Sequence, residues 1–138
     1  MKYLIVAIFI MTLGCDSEEE AQGDAITGTW KLSEVVSGWT NEVTPADKLD
    51  YAEFYDFKAN GKVKKYRSDG KSVEGTYTVE EKSDGTYIEV EYTDVNNELK
   101  ESCGGNEFLR IEENQLKGGS LPCDGPGLTY VKAGKATD

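Results

Sequence analysis

Val73-Glu74-Gly75-Thr76-Tyr77-Thr78-Val79 and Ile88-Glu89-Val90-Glu91-Tyr92-Thr93 decide the fold. In each stretch every second residue is apolar, aromatic or small, and its neighbours are acidic or hydroxylated. Successive side chains of a strand point to opposite faces, so a period of two describes a sheet with one dry face and one wet face. Asp84-Gly85 between the two stretches is a hairpin signal. The same grammar continues outward. Toward the N-terminus, Asp69-Gly70 turns the chain into Lys62 to Arg67, and Asn60-Gly61 predicts a two-residue turn back to the aromatic-rich run Tyr51 to Phe57. Toward the C-terminus, Asp94 to Asn97 is a polar turn and Leu99 to Cys103 reads as a short strand. Phe108 to Glu112 and Gln115 to Lys117 flank the turn residue Asn114. Gly118 to Gly127, with its glycines and prolines, is a loop, and Leu128 to Lys132 is a final strand.

The strand train starts at Gly28-Thr29-Trp30-Lys31-Leu32, where Trp30, Leu32 and Glu34 alternate against Thr29, Lys31 and Ser33. Ser37 to Asp50 breaks the alternation. Within it, Thr44 can cap a helix, Pro45 suits a first helical position and Asp47 favours a first turn, which predicts one short helical turn near residues 45–50. The result is an all-β chain of about eight or nine short strands joined mainly by hairpins, the pattern of an antiparallel up-and-down β-barrel or a sandwich. Closure into a barrel leaves no free sheet edge, and a barrel of about eight strands over residues 27–133 is the expectation.

Before that domain the chain changes character. Lys2 precedes an apolar run from Tyr3 to Met11, and Thr12-Leu13-Gly14 leads to Cys15. That is the layout of a secretory signal peptide over residues 1–14. A membrane-spanning helix needs about 20 apolar residues, and this run stops short at a cysteine followed by acids. A small residue and then cysteine resembles the lipobox of bacterial lipoproteins, although Thr12 stands where leucine is usual. The resemblance implies that Cys15 carries lipid and holds the protein to the cell envelope, most naturally the outer membrane on its periplasmic or surface face. Each buried methylene of such a lipid contributes about 0.8 kcal/mol, so several long chains anchor firmly. Residues 15–26 read as an acidic tether without apolar period. Their acidic run resembles the export signal of surface-exposed lipoproteins in Bacteroidota, and a plain solvated spacer fits the same residues. Residues 134–138 form a tail with nothing to bury.

Composition excludes several chemistries. The formal net charge is −11, and it moves to −12 without residues 1–14, which hold Lys2 and no acid. Nucleic acid is not an expected partner of such a chain. There is no histidine, so the commonest general base and the usual transition-metal ligand are missing. Asp94, Asn96 and Glu98 alternate oxygen groups but fall short of the 6–8 oxygens that calcium takes. Neither a metal, a cofactor nor an enzymatic activity is expected. Cys103 and Cys123 remain as an even pair in an exported chain, which predicts a disulfide.

The domain is similar to the lipocalin-like lipoproteins of bacteria. Gly28-Thr29-Trp30-Lys31-Leu32, Phe57-Lys58-Ala59-Asn60-Gly61-Lys62-Val63 and Gly75-Thr76-Tyr77-Thr78-Val79 carry the resemblance. It implies that Trp30 plugs one end of the barrel and that the other end admits a small apolar ligand. There is no Thr-Asp-Tyr motif and no C-terminal helix, and Lys132 stands where lipocalins stack an arginine on the tryptophan. Tyr77, Val79, Ile88 and Val90 are expected to face the interior, with Trp39 at a mouth. An eight-stranded interior is just wide enough to be filled by side chains or to keep one small cavity, and both outcomes are open at this point. Two functions follow. One is a lipid-anchored monomer holding a small apolar ligand. The other is a filled barrel acting as a protein or glycan interaction module, for which Tyr51, Tyr55, Tyr66 and Tyr87 exposed together would be a sign.

Overall fold

The alternating stretches become paired strands, each buried along one face. The computed structural model describes residues 25–134. The expected signal peptide, Cys15, residues 16–24 of the tether and residues 135–138 of the tail lie outside the described residues. The strands are β1 (Gly28–Val36), β2 (Val43–Pro45), β3 (Glu53–Phe57), β4 (Lys62–Arg67), β5 (Ser72–Lys82), β6 (Gly85–Tyr92), β7 (Glu107–Glu112), β8 (Gln115–Gly119) and β9 (Gly127–Gly134). Short 3-10 turns cover Ala46–Lys48 and Leu121–Cys123.

Every pairing is antiparallel, and from β3 to β9 each strand lies beside the next in sequence. β9 then pairs with β1, from Thr29 opposite Gly134 to Val36 opposite Gly127. β1 also pairs with β3 through Gly28 to Lys31. Eight strands therefore close into an up-and-down barrel, and the three-residue β2 is attached outside the cycle to the last residues of β1. The cysteine pair forms its disulfide, with a Cα–Cα distance of 5.7 Å.

Several local expectations are corrected. The β3–β4 connection is a three-residue loop, closed by the Lys58 N–H donating to the Lys62 carbonyl at 2.9 Å. Gly61 takes φ +81°, the left-handed residue that such loops need before the ladder resumes. The helical turn after Thr44 is shorter than expected and starts at Ala46, with Pro45 rather than Thr44 at the cap and no side-chain cap bond. Leu99 to Cys103 forms no strand; its Leu99 is buried in the core and its Glu101 N–H donates to Glu107 at the start of β7. On β1 the pairing to β9 shifts between Leu32 and Glu34. This irregularity resets the alternation, so Val35 rather than Glu34 packs against the core. Ile26, placed in the tether by the sequence, is fully buried.

The barrel has two unlike ends. The chain start, the β3–β4, β5–β6 and β7–β8 turns and Gly134 gather at one end, called here the closed end. The β1–β2 loop, the β4–β5 turn, the long 93–106 segment and the 120–126 loop gather at the other, the loop end.

Candidate functional site

Trp30 occupies the closed end. Its indole is 2% exposed, and Nε1 donates to the Ile26 carbonyl at 2.8 Å. Lys132 Nζ lies 5.6 Å from the ring centroid and donates to the Ala25 carbonyl at 3.2 Å, so a cation covers the indole while tying down the entering chain.

Above Trp30 the lumen is occupied by side chains. Tyr55 meets Tyr130 edge-on at 4.8 Å, Phe57 meets Tyr77 edge-on at 5.0 Å, and Ile88, Val90, Leu109 and Leu116 fill the space around them. Ile88 and Val90 are thus core residues with no exposed surface. Tyr77 is half-buried, and its hydroxyl donates to the Lys58 carbonyl at 2.5 Å. Val79 is 36% exposed at the rim, where the β5–β6 hairpin is largely solvated.

Toward the loop end the filling becomes charged. Glu53, Lys65 and Glu107 are each at most 2% exposed. Lys65 Nζ lies 3.4 Å from both carboxylate oxygens of Glu107 and 4.9 Å from the Tyr55 ring centroid. Glu107 also accepts from the Tyr92 hydroxyl at 3.1 Å and the Glu101 N–H at 2.9 Å. Beside this pair, Arg67 Nε donates to Glu53 at 2.8 Å, and the Tyr130 hydroxyl donates to the other Glu53 oxygen. The Tyr55 hydroxyl is buried without a partner among the described residues. Burial pushes the Lys65 ammonium down to about 8, against the raising charges of Glu53 and Glu101. Burial likewise pushes the Glu107 carboxyl up to about 8, and the Glu101 N–H opposes it. The hydroxyls of Tyr92 and Tyr130 are raised by burial and then by the charge of Glu53, so both stay protonated donors.

This cluster reaches the surface loops. Glu101, whose N–H Glu107 holds, accepts from Ser120 Oγ at 2.7 Å. Ser120 begins the loop that ends at Pro126 and carries the disulfide to Cys103. A Cβ on Gly38 would lie 2.2 Å from the Gly125 carbonyl oxygen, so only glycine lets the β1–β2 loop sit against that loop. The next residue, Trp39, is 82% exposed. Val43, 51% exposed, pairs with Val36, which pairs in turn with Gly127; Leu121, 46% exposed, covers Gly127. Trp39 therefore stands by an apolar strip at the rim of the loop end, outside the packed lumen. The aromatic cluster imagined from Tyr51, Tyr55, Tyr66 and Tyr87 does not form, because Tyr55 is fully buried.

A groove of about 510 Å³ opens elsewhere, in the barrel wall between β1 and residues 46–52, lined chiefly by Leu32, Ala46, Leu49, Tyr51 and Val131. It marks the gap where β1 has passed from β3 to β2. Asp94 accepts from the Asn96 N–H at 3.0 Å and so forms a turn. Among the described residues no cluster of His, Cys, Asp or Glu could hold a metal, and no helix is long and apolar enough to cross a membrane. No family model matches the chain, and neither a curated protein nor a solved structure matches it.

Proposed function

We propose that this chain is a non-enzymatic, lipid-anchored domain of the bacterial envelope, and that it works as an interaction module through its loop end. The observation that carries the reading is Trp39: a large aromatic left 82% exposed on a loop that is itself held against the disulfide-closed loop. An exposed indole on a fixed backbone loses little freedom on binding, and tryptophan is enriched among residues that dominate interfaces. The described chain begins at the closed end, so a tether leaving there would turn Trp39 away from the lipid at Cys15. The occupied lumen supports the same reading, since an apolar ligand would have to displace packed rings and desolvated charges.

A photo-crosslinking residue in place of Trp39, in cells of the native host, is expected to capture one envelope partner. The same residue in place of Glu89, exposed on β6 across the barrel from β1, is expected to capture none. Equal labelling from both positions would count against the reading. The anchor is tested separately: Cys15→Ser should move the protein from the membrane to the soluble fraction, and unchanged membrane association would refute it.

A second reading keeps the small apolar ligand and seats it outside the lumen. The wall groove supports it, because about 510 Å³ falls within the usual range for small-molecule sites and its lining is largely apolar. Leu49→Arg should abolish that ligand's binding and leave capture from position 39 intact.

A further inference from the structure

The outer face of β3 and β4 has a sign opposite to that of the chain. Acids outnumber bases 26 to 15, yet Lys31, Lys58, Lys62 and Lys64 sit together here. None of the four is in an ion pair among the described residues, whose ion pairs use Lys65, Arg67, Lys71 and Lys82. The strand register explains the gathering. Lys31 lies opposite Phe54, Phe54 opposite Tyr66, and Lys64 lies between Asp56 and Glu74. Phe54 and Tyr66 stack at 5.0 Å, with Lys31 Nζ 5.9 Å from the first ring and Lys64 Nζ 5.6 Å from the second. Beside the rings a pocket of about 300 Å³ is walled by Lys58, Lys62, Lys64, Glu74, Thr76 and Thr93.

We propose that this face binds an acidic glycan, a polysaccharide carrying carboxylates on its sugars. Three ammonium groups around one pocket call for an anion, and four lysines against Asp56, Glu74 and Glu91, the last opposite Thr76, leave the patch positive within an acidic molecule. The remaining groups select the class of anion. Glu74, Thr76 and Thr93 line the same pocket, and an exposed carboxylate beside a bound anion favours a ligand that also carries hydrogen-bond donors. Sugar hydroxyls supply donors next to the ligand's own carboxylate, which polyphosphate chains do not. The aromatic pair adds flat apolar surface of the kind that the carbon face of a sugar ring covers. This site is on the barrel wall and does not depend on the reading of the loop end.

The test is calorimetric titration of the purified full chain with polygalacturonate, with dextran as a neutral glycan and polyglutamate as an acidic peptide, at about 150 mM salt so that long-range attraction is screened. Saturable binding to polygalacturonate alone is expected. Lys62→Gln/Lys64→Gln should weaken it by about tenfold or more, because charge-assisted hydrogen bonds are the strong ones. Lys117→Gln on the far wall should leave it unchanged. Should the first pair lower the melting temperature, Lys58→Gln/Lys62→Gln, at the exposed turn, gives the same reading. No binding, binding indifferent to both pairs, or equal binding of dextran would overturn the proposal. Equal binding of polyglutamate would overturn it too, and would make the partner an acidic peptide.

Discussion

Lys65 and Glu107 show how strongly position governs the chemistry of a residue in this barrel. Both are desolvated, and each is driven by burial toward its neutral form. Breaking such a pair leaves the remaining group desolvated and unpartnered, whether charged or forced neutral, whereas replacing both members by apolar side chains is often neutral or better. Lys65→Met is therefore expected to destabilise the fold by about 3–5 kcal/mol, and Lys65→Met/Glu107→Leu to recover most of that loss, as read from urea unfolding. The pH dependence follows from the two shifts. The Glu107 carboxyl is raised to about 8 from 4.5, so its contribution is fully present below 4.5 and is lost as pH rises through about 8. The Lys65 ammonium is lowered to about 8 from 10.5, so its contribution is present above 10.5 and lost as pH falls through about 8. The pair thus contributes least near pH 8. The wild-type urea midpoint should fall between about pH 5 and pH 8, and Glu107→Gln should flatten that slope. An equally steep slope in Glu107→Gln would place the titration on another group. These residues were legible only in part. Lys65 shares strand parity with Val63, Glu53 with Tyr55 and Phe57, and Glu107 with Leu109. Read from the sequence, Glu53 is a carboxylate facing solvent; parity with apolar neighbours agrees with the buried positions, but a charged residue weakens the apolar alternation that reveals a strand's dry face.

At the scale of elements, the strands that were read correctly are those whose alternation is local. β5 and β6 carry their period within eight to eleven residues each, and their pairing continues from Gly75 opposite Tyr92 to Lys82 opposite Gly85. β2 has three residues and exists only because β1 offers it an edge, which no periodicity can announce. The segment after Leu99 failed as a strand for a related reason. Its order comes from the nearby Glu107 carboxylate and, across 19 and 20 residues, from Ser120 and the disulfide. That disulfide closes a separation of 20 residues, which the chain-entropy model values at about 3 kcal/mol. Cys103→Ser/Cys123→Ser should lower stability by about that amount, and stability unchanged within error would mean that the loops are held by the hydrogen bonds alone. Gly38→Ala should act on the same junction from the other side. Its Cβ would meet backbone oxygens of Asp124 and Gly125, so the loops must part, at a penalty of about 1–3 kcal/mol and with altered Trp39 fluorescence.

For the whole molecule, the pattern of strands and turns carried the closed eight-stranded barrel, because antiparallel neighbours in sequence are neighbours in space and only the β9–β1 seam joins distant residues. The contents of the lumen were not legible. Whether an eight-stranded interior is hollow depends on how inward side chains meet across it, as Tyr55 meets Tyr130 from strands 75 residues apart in sequence. With the lumen filled from Trp30 up to the Lys65–Glu107 pair, we propose that this barrel acts through its surface and holds no small molecule inside. Native mass spectrometry of the chain, gently released from membranes of its own host, tests that most directly. The expected mass is that of the processed polypeptide with its lipid and nothing more. A stoichiometric small-molecule adduct that persists in Leu49→Arg, and so does not sit in the wall groove, would contradict it.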